Sequence, residues 1–339
     1  MKRPTIKDVA TSAGVSRAAV SKVLRGAYGV SGVMRGRVEG AMRSLDYRPQ
    51  LAARALRGRS YMLGVLLPDI RNPFFADILD GVGNALRGTQ YQLLLGVRPL
   101  FEATERGLVE TMLDRKLDGF IMIAPLLEHA YLARHAASAP TVLIGRHDRD
   151  GGFDTVNNDD ELGARLAVRH LIAQGHESIG YFDLEPLGDD GAHPNVFRAK
   201  GYHAAMRAAG LARQSQVIVG STSARPEGDA GLIAAWLTSP GRPSAIFAWS
   251  DVAALTILSA AQDLGLRVPG DLAIAGYDNS RLCDLAQLSL TSVDQDGPQL
   301  GQRAAELLIE RIEGRRGEVH FVTPPRLVER RSSGSPEVA

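Results

Sequence analysis

Residues 5–26 read TIKDVATSAGVSRAAVSKVLRG, and their spacing predicts two short helices joined by a tight turn. Thr5 can cap the first helix together with Asp8, because a threonine followed three residues later by an acidic side chain makes a capping box. Gly14 can end that helix in the left-handed conformation, and Ser16 can cap the second helix. Two helices joined by a short turn with glycine form a helix-turn-helix.

The second predicted helix leaves a polar face for an outside partner, since its apolar side chains fix it on its neighbours. An α-helix fits the major groove of DNA, where Arg17 offers a bidentate fork to guanine and Ala18 can contact a thymine methyl group. Ser16, at the helix N-terminus, suits a phosphate. Lys22 fits a base edge or a phosphate equally well. The candidate DNA-contacting residues of this segment are Thr5, Ser16, Arg17, Ala18, Ser21, Lys22 and Arg25.

The positive charge of the chain is concentrated in its first sixty residues. Residues 1–60 contain thirteen Lys or Arg and three Asp or Glu, which gives a net charge of +10, whereas the whole chain carries +1. A basic module joined to a mildly acidic larger one indicates a polyanionic partner for the first module only. The sequence therefore predicts that double-stranded DNA binds to this segment.

The rest of the basic segment is predicted to be a weak third helix followed by a linker. The third helix follows Ser31, although Gly36 and Gly40 inside it each cost about 1 kcal/mol relative to alanine. The linker, YRPQLAARALRGRS at 47–60, is too short to be a stable helix alone but can fold on binding DNA beside a second copy. Its candidate DNA contacts are Arg54, Leu56 and Arg57. Leu56 can enter an opened minor-groove step, or it can pack onto the neighbouring domain instead.

Beyond residue 60, apolar runs alternate with helical patterns over more than 200 residues. This alternation predicts a doubly wound, parallel α/β architecture, and ten predicted strands are enough for two subdomains. Polar residues follow several strands, at the edge where such sheets bind ligands: Asp69, Arg98, Asp159, Asp251, Asp278 and Gln295. Converging carboxylates, amides and arginines suit a sugar or polyol, and Phe74, Phe75 and Trp249 can cover the apolar face of its ring.

Composition excludes several other kinds of protein. No apolar run approaches the ~20 residues that span a membrane, and the N-terminus lacks the apolar core of a signal peptide, so we expect a cytoplasmic protein without a membrane partner. Cys283 is the only cysteine, which excludes an internal disulfide and a cysteine-rich zinc site. We expect no metal site and no cofactor.

The chain closely resembles the lactose-repressor (LacI/GalR) family of bacterial transcription regulators. The residues that carry this resemblance include the helix-turn-helix block at 5–26, GVLLPDIRNPFFADILDGV, FRAKGYHAAM, VPGDLAIAGYDNS and LTSVDQD. The resemblance implies an all-α headpiece followed by a periplasmic-binding-protein-like domain with two parallel-sheet subdomains. The implied bounds are a headpiece at 1–48, a hinge at 49–60, and an effector and dimerisation domain at 61–335, with an N-subdomain at 61–159 and 292–320 and a C-subdomain at 160–290 and 321–331.

The same resemblance implies which residues bind a small-molecule effector between the subdomains. The family's ligand positions fall on Phe74 or Phe75, Asp159, Arg198, Ser250, Asp278 and Gln295, and the neighbouring Trp249 is added on its aromatic character. The sequence departs from the family at Ser250, where sugar-binding members often carry an amide. It also departs in the third helix, where Met34 and Gly36 replace a Thr and a charged residue.

Three classes of function compete: a ligand-responsive transcription regulator, an enzyme on the same scaffold, and a sugar-binding transport protein. The enzyme is disfavoured because the phosphate-loop, zinc-protease and nucleophile-elbow motifs are all absent. The transport protein requires a signal peptide and has no use for a basic helix-turn-helix. The sequence thus favours a regulator, most often a repressor, that binds an inverted-repeat operator as a homodimer. Its effector is a sugar or sugar derivative, with a nucleobase as the alternative.

We expect residues 1–60 to carry the affinity for DNA, and we expect this affinity to fall steeply with salt. The reason is the net charge of +10 on this segment, because neutralising phosphates releases counterions and makes log K fall linearly with log salt. The measurement compares the full chain with residues 61–339 on an operator fragment at two salt concentrations. Equal binding by the shorter chain would contradict the prediction.

Overall fold

The computed structural model describes residues 4–24, 27–47, 59–98, 102–185, 191–220 and 226–334. The chain divides into two compact units, Met1–Ser60 and Tyr61–Ala339. Among the described residues, no helix is both long enough and apolar enough to cross a membrane.

The described residues of the first unit form three helices around a small core: α1 (Ile6–Ala13), α2 (Arg17–Leu24) and α3 (Gly32–Ser44). One fully buried valine from each helix forms the centre of this core: Val9, Val20 and Val38. Gly14 ends α1 with φ of 63°, in the predicted left-handed conformation. Ser31 caps α3 by accepting a hydrogen bond from the backbone N–H of Met34, so the third helix forms despite its glycines.

The second unit alternates strands and helices almost throughout. In chain order its elements are β1 (Met62–Leu67), α4 (Pro73–Ala85), β2 (Gln92–Val97), α5 (Glu102–Asp114), β3 (Gly119–Ile123), α6 (His129–Ala136), β4 (Thr141–Ile144), β5 (Asp154–Asn158), α7 (Asp160–Ala173), β6 (Ile179–Leu184), α8 (Pro194–Ala208), β7 (Gln216–Gly220), α9 (Pro226–Leu237), β8 (Ala245–Ala248), α10 (Asp251–Asp263), β9 (Ala273–Asp278), β10 (Thr291–Asp294), α11 (Gly297–Ile312), β11 (His320–Thr323) and β12 (Arg326–Val328).

These strands form two six-stranded sheets, in the orders β11-β5-β4-β3-β1-β2 and β12-β10-β9-β8-β6-β7. Central strands such as β3 and β4 are buried along their whole length, as expected where helices cover both faces of a parallel sheet. The predicted fold class, a helical headpiece followed by an α/β domain with two sheets, is confirmed.

Two details of the predicted fold need correction. The second sheet is not wholly parallel, because β12 pairs antiparallel with β10. The subdomain bounds also shift: residues 292–294 belong to the second sheet through β10, and residues 321–323 belong to the first sheet through β11. The chain therefore crosses between the subdomains after β5, after β10 and between β11 and β12. Short strands with few apolar residues carry too weak a pattern to show from sequence which sheet each of them joins.

Helices α4 and α11 approach each other closely because two glycines lie at their contact. A Cβ atom added at Gly81 would overlap the carbonyl oxygen of Pro298, and one added at Gly301 would overlap the carbonyl oxygen of Ile78. Both clashes are with backbone, which cannot move aside as a flexible side chain can. This contact joins α11, which follows the second crossing of the chain, to the body of the first subdomain.

We expect Gly301→Ala to lower the free energy of unfolding by about 1–3 kcal/mol, because a methyl group must be forced between two packed backbones. The matched control is Gly83→Ala on the exposed side of α4, where an added Cβ meets nothing within 4 Å. The control should be neutral or raise stability by up to ~1 kcal/mol through better helix propensity. Urea denaturation of the full chain measures both changes. A destabilisation of the same size in the two variants would contradict the close contact.

Candidate functional site

The outward face of α2 is polar and exposed in the first unit. Ser16, Arg17, Ala18 and Lys22 are all exposed, and Ser21 is half-buried. Ser16 Oγ accepts a hydrogen bond of 3.1 Å from the backbone N–H of Ala19, so this serine caps the helix as predicted.

The other predicted DNA-contacting residues do not lie on the exposed face of α2 that the structure describes. Thr5 is exposed and donates its hydroxyl and its backbone N–H to the carboxylate of Asp8, at 2.8 Å each. Its observed role is therefore to begin α1. Arg25, Arg54, Leu56 and Arg57 lie outside the described residues.

In the second unit, a cavity of about 330 Å³ is lined by residues of both subdomains. We call it the central cavity. Seven of the eight residues predicted to bind an effector line it: Phe74, Phe75, Arg198, Trp249, Ser250, Asp278 and Gln295. They come from the ends of β8, β9 and β10 and from the helices that follow strands, which is where ligands bind in sheets of this kind.

Arg198, on α8, is held rigidly in the wall of the central cavity. Its Nε donates to Asp160 Oδ1 at 2.8 Å, and its Nη1 donates to the carbonyl oxygen of Trp249 at 2.6 Å. The guanidinium also lies over the ring of Tyr277, 3.7 Å from the ring centroid. Burial opposes the charge of Arg198, but the neighbouring Asp160 carboxylate outweighs burial and raises the pKa of this arginine. Within the described residues, Nη2 has no hydrogen bond and remains available to a ligand.

Asp159 was predicted to bind the ligand, but the structure places the neighbouring Asp160 in the cavity wall instead. Asp159 Oδ1 accepts a hydrogen bond of 3.0 Å from the backbone N–H of Leu162, so Asp159 caps α7 and does not line the central cavity. The next residue, Asp160, lines the cavity and binds both Arg198 and His147 Nε2, the latter at 2.8 Å. Burial disfavours the Asp160 carboxylate, yet Arg198 and His147 together hold its pKa below the usual range.

Asp278 forms a second polar group in the central cavity. Gln295 Nε2 donates to its Oδ1 at 2.7 Å, and Asn72 Nδ2 reaches its Oδ2 at 3.4 Å from the first subdomain. Burial, reinforced by the nearby charge of Asp251, raises the pKa of Asp278 to about 8. The backbone of Asp278 has φ of 117°, a strained conformation of the kind that clusters at functional sites, where the surrounding structure holds it in place.

Two residues near the end of β8 have structural hydrogen bonds. Ser250 Oγ accepts from the backbone N–H of Ala253 at 3.2 Å and so caps α10. Asp251, which lies within α10, accepts from the backbone N–H of Ser280 at 2.7 Å and from the hydroxyl of Ser292. Ser250 therefore lines the cavity with a hydroxyl that is already partly used, and Asp251 braces the turn after β9.

The central cavity also contains polar residues that were not among the predicted effector-binding set. Arg98 was noted at the end of β2 but was not selected, and His193 and Asn195 at the start of α8 gave no motif signal. Outside the cavity, Arg281 binds Asp77 at 3.0 Å and Asp80 at 2.7 Å and so links the second subdomain to α4. Among the described residues, no group of His, Cys, Asp and Glu side chains is arranged to hold a metal ion.

Comparisons with known proteins agree with both units. The family model for bacterial regulatory proteins of the lacI family matches residues 5–50, and the model for a periplasmic binding protein-like domain matches residues 168–333. The HTH-type transcriptional repressor PurR of Proteus mirabilis is 32% identical over 333 residues, which is 97% of this chain and 96% of that protein.

Two solved structures extend the comparison to the fold. The lac repressor dimer bound to operator and the anti-inducer ONPF has a TM-score of 0.80 and 25% identity, covering 98% of this chain and 100% of that one. The transcriptional regulator CelR in complex with cellobiose has a TM-score of 0.69 and 28% identity, covering 97% of this chain and 100% of that one.

We expect Asp278→Asn to make the stability of the protein less dependent on pH. The pKa of Asp278 is about 8 in the folded chain, against 3.8 for the ordinary carboxyl group. Between these values the unfolded chain ionises while the folded chain keeps its proton, so stability falls as pH rises through this window. Melting temperatures across this range measure the effect, with Asp263→Asn at the exposed end of α10 as the control. Parallel curves for the wild type and Asp278→Asn would contradict the raised pKa.

Proposed function

The chain belongs to the lacI family of bacterial regulatory proteins, and from that premise we propose that it represses transcription from an inverted-repeat operator under the control of a sugar or sugar derivative. The observation that carries the effector assignment is the central cavity, where braced polar side chains converge from two subdomains. The chain is a regulator and not an enzyme, as its repressor relatives indicate.

The DNA-binding part of the proposal rests on α2. Its exposed Arg17, Ala18 and Lys22 lie on the side of the helix opposite the buried Val20 and Val23. A helix held in this way can enter a major groove with its N-terminal residues at base edges. Arg17 then reads a guanine, and the excess positive charge of residues 1–60 holds the phosphates.

The effector part of the proposal rests on hydrogen-bonding capacity. Arg198 Nη2, the Asp278 carboxyl group and the Gln295 amide supply donors and acceptors, and each is braced by a neighbour in the cavity wall. Adjacent hydroxyl groups of a sugar match such groups, while Phe74, Phe75 and Trp249 cover its C–H face. A relative whose solved structure contains cellobiose has the same architecture.

A nucleobase is the alternative effector, and the aromatic side chains favour it. The rings of Phe74 and Phe75 lie 6.0 Å apart at 51°, in a position to cover a flat ligand that enters the central cavity. In that case stacking on the aromatic rings would carry most of the binding energy, and the charged residues would contribute less.

We propose that the chain acts as a homodimer, since an inverted repeat needs two headpieces. The edge strands β2 and β7 each expose apolar side chains at alternate positions: Leu95 and Val97 on β2, and Val217 and Val219 on β7. Exposed apolar edges of this kind are usually covered by a partner. The related lac repressor structure is a dimer bound to operator.

Coupling between effector and DNA follows from the position of the central cavity between the subdomains. A ligand that contacts Asn72 from one side and Asp278 from the other favours one relative orientation of the two subdomains, because it binds that orientation more tightly. The change in orientation then alters operator affinity with a coupling free energy of about 1–3 kcal/mol.

We expect Arg198→Lys to weaken the effector response about tenfold or more, because lysine lacks the planar fork that Asp160, Trp249 and the ligand share. A thermal-shift screen of sugars, polyols and nucleobases first identifies a ligand, and operator titration with that ligand then measures the response. The matched control is Lys200→Ala, which removes an exposed charge from the same helix.

Phe75→Leu separates the two effector classes. For a sugar, Phe75→Leu should weaken the effector response less than Arg198→Lys does. For a nucleobase it should weaken the response more, since only the nucleobase depends mainly on the aromatic face. A melting-temperature increase with a purine and with no sugar would contradict the sugar assignment.

A further inference from the structure

Arg98 places a cationic group in the wall of the central cavity, and no described residue forms an ion pair with it. It follows β2, and its backbone N–H donates to the carbonyl oxygen of Leu67 at 2.7 Å, which fixes the start of the side chain. Its Nη1 is buried and, within the described residues, has no hydrogen-bond partner. A buried guanidinium is stable only when a counter-charge or hydrogen-bond acceptors satisfy it.

The other two arginines of the central cavity already have their counter-charges. Arg71 binds Asp69 at 2.9 Å, and Arg198 binds Asp160 at 2.8 Å. Arg98 therefore differs from both. The acidic residue that acts most on it is Glu105, which is fully buried and accepts a hydrogen bond from the backbone N–H of Leu126 at 3.0 Å. Burial lowers the pKa of Arg98, and the Glu105 charge only partly offsets this effect.

The remaining carboxyl groups of the cavity do not offer Arg98 a free negative charge. Asp278 already accepts hydrogen bonds from the amides of Gln295 and Asn72, and burial raises its pKa, which disfavours its charged form. Asp229 lies beside Gly220 and has its own partner. Among the described residues of the cavity wall, no carboxylate thus forms an ion pair with Arg98, and the charge of Glu105 compensates its guanidinium only in part.

A second unsatisfied group lines the same cavity from the second subdomain. Asn195 is 5% exposed, and its Nδ2 donates to the carbonyl oxygen of Leu184 at 3.3 Å. Its Oδ1 is buried and accepts no hydrogen bond within the described residues. Within the part of the chain that the structure describes, the cavity therefore presents a partly compensated cation together with an unused acceptor, and the acceptor suits a hydroxyl group.

We propose that the effector is an anionic polyol, a sugar acid or a sugar phosphate, whose negative group binds the guanidinium of Arg98. This inference rests on the proposed function, because it specifies the class of sugar that the central cavity takes. Arg98 is then a specificity-determining residue, since a carboxylate or phosphate completes its ion pair through charge-assisted hydrogen bonds and a neutral sugar does not.

The test uses matched pairs of ligands on the full chain. Gluconate is compared with glucitol, and glucose 6-phosphate and ribose 5-phosphate are compared with glucose and ribose, by thermal shift and by operator titration. We expect at least one anion to bind about tenfold or more tightly than its neutral parent, as a charge-assisted bond to a partly buried guanidinium implies. The carboxylate and phosphate arms show which anion fits.

Substitution of Arg98 links that preference to this side chain. Arg98→Gln should reduce the ratio of anion to neutral affinity to about one, whereas Arg98→Lys, which keeps the charge, should retain part of the ratio. Arg87→Gln removes an exposed arginine of the same subdomain and should leave the ratio unchanged. Because the readout is a ratio within one protein, and Arg98→Lys is a milder change, a general loss of stability does not imitate the result.

The outcomes separate this inference from the proposed function. If neutral sugars bind as tightly as the anions, the sugar effector stands and the role of Arg98 is overturned. A preference for anions that survives Arg98→Gln also overturns that role. Binding of a purine alone overturns both the sugar effector and its anionic form.

Discussion

A buried arginine requires a counter-charge, and the wall of the central cavity contains such an arginine, Arg198, paired with Asp160. Asp160 supplies the charge from the first turn of α7, immediately after the chain enters the second subdomain. The other oxygen of the same carboxylate binds His147, which lies beyond β4 in the first subdomain. One carboxylate therefore connects the two subdomains through His147 and Arg198, and it does so in the wall of the cavity. Removing it would leave a buried cation unpaired, which costs far more than the pair itself contributes.

The sequence predicts most of the architecture because strong apolar runs and helix caps are local signals. Prediction from sequence fails where the position of a side chain depends on the exact residue at which a helix begins, or where strand pairing depends on distant residues. Asp159 and Asp160 are adjacent carboxylates, and only the start of α7 decides that the first caps the helix and the second faces Arg198. The pairing of β12 with β10 joins residues more than thirty positions apart, so no local pattern signals its antiparallel direction.

Polar residues at the ends of strands indicate where the central cavity lies, but their sequence pattern does not separate side chains that line the cavity from side chains with structural hydrogen bonds. Asp278 ends β9 and Asp251 follows β8, yet Asp278 lines the central cavity while Asp251 accepts hydrogen bonds from Ser280 and Ser292. Asn195 shows the opposite case, because it begins a helix without any motif and still reaches the cavity. What distinguishes these residues is which hydrogen-bonding groups the fold has already satisfied, and this is a property of the tertiary structure.

The three crossings of the chain between subdomains have a consequence for its synthesis. The first sheet receives β11 only at His320–Thr323, and the second receives β12 only at Arg326–Val328. The core of the first unit is formed by side chains between Ile6 and Tyr47, so this unit can fold while the chain is still growing on the ribosome. The larger unit stays incomplete until translation has passed residue 328. A nascent or prematurely terminated chain thus presents a DNA-binding headpiece whose ligand-sensing body is not yet assembled, and only the finished chain combines the two.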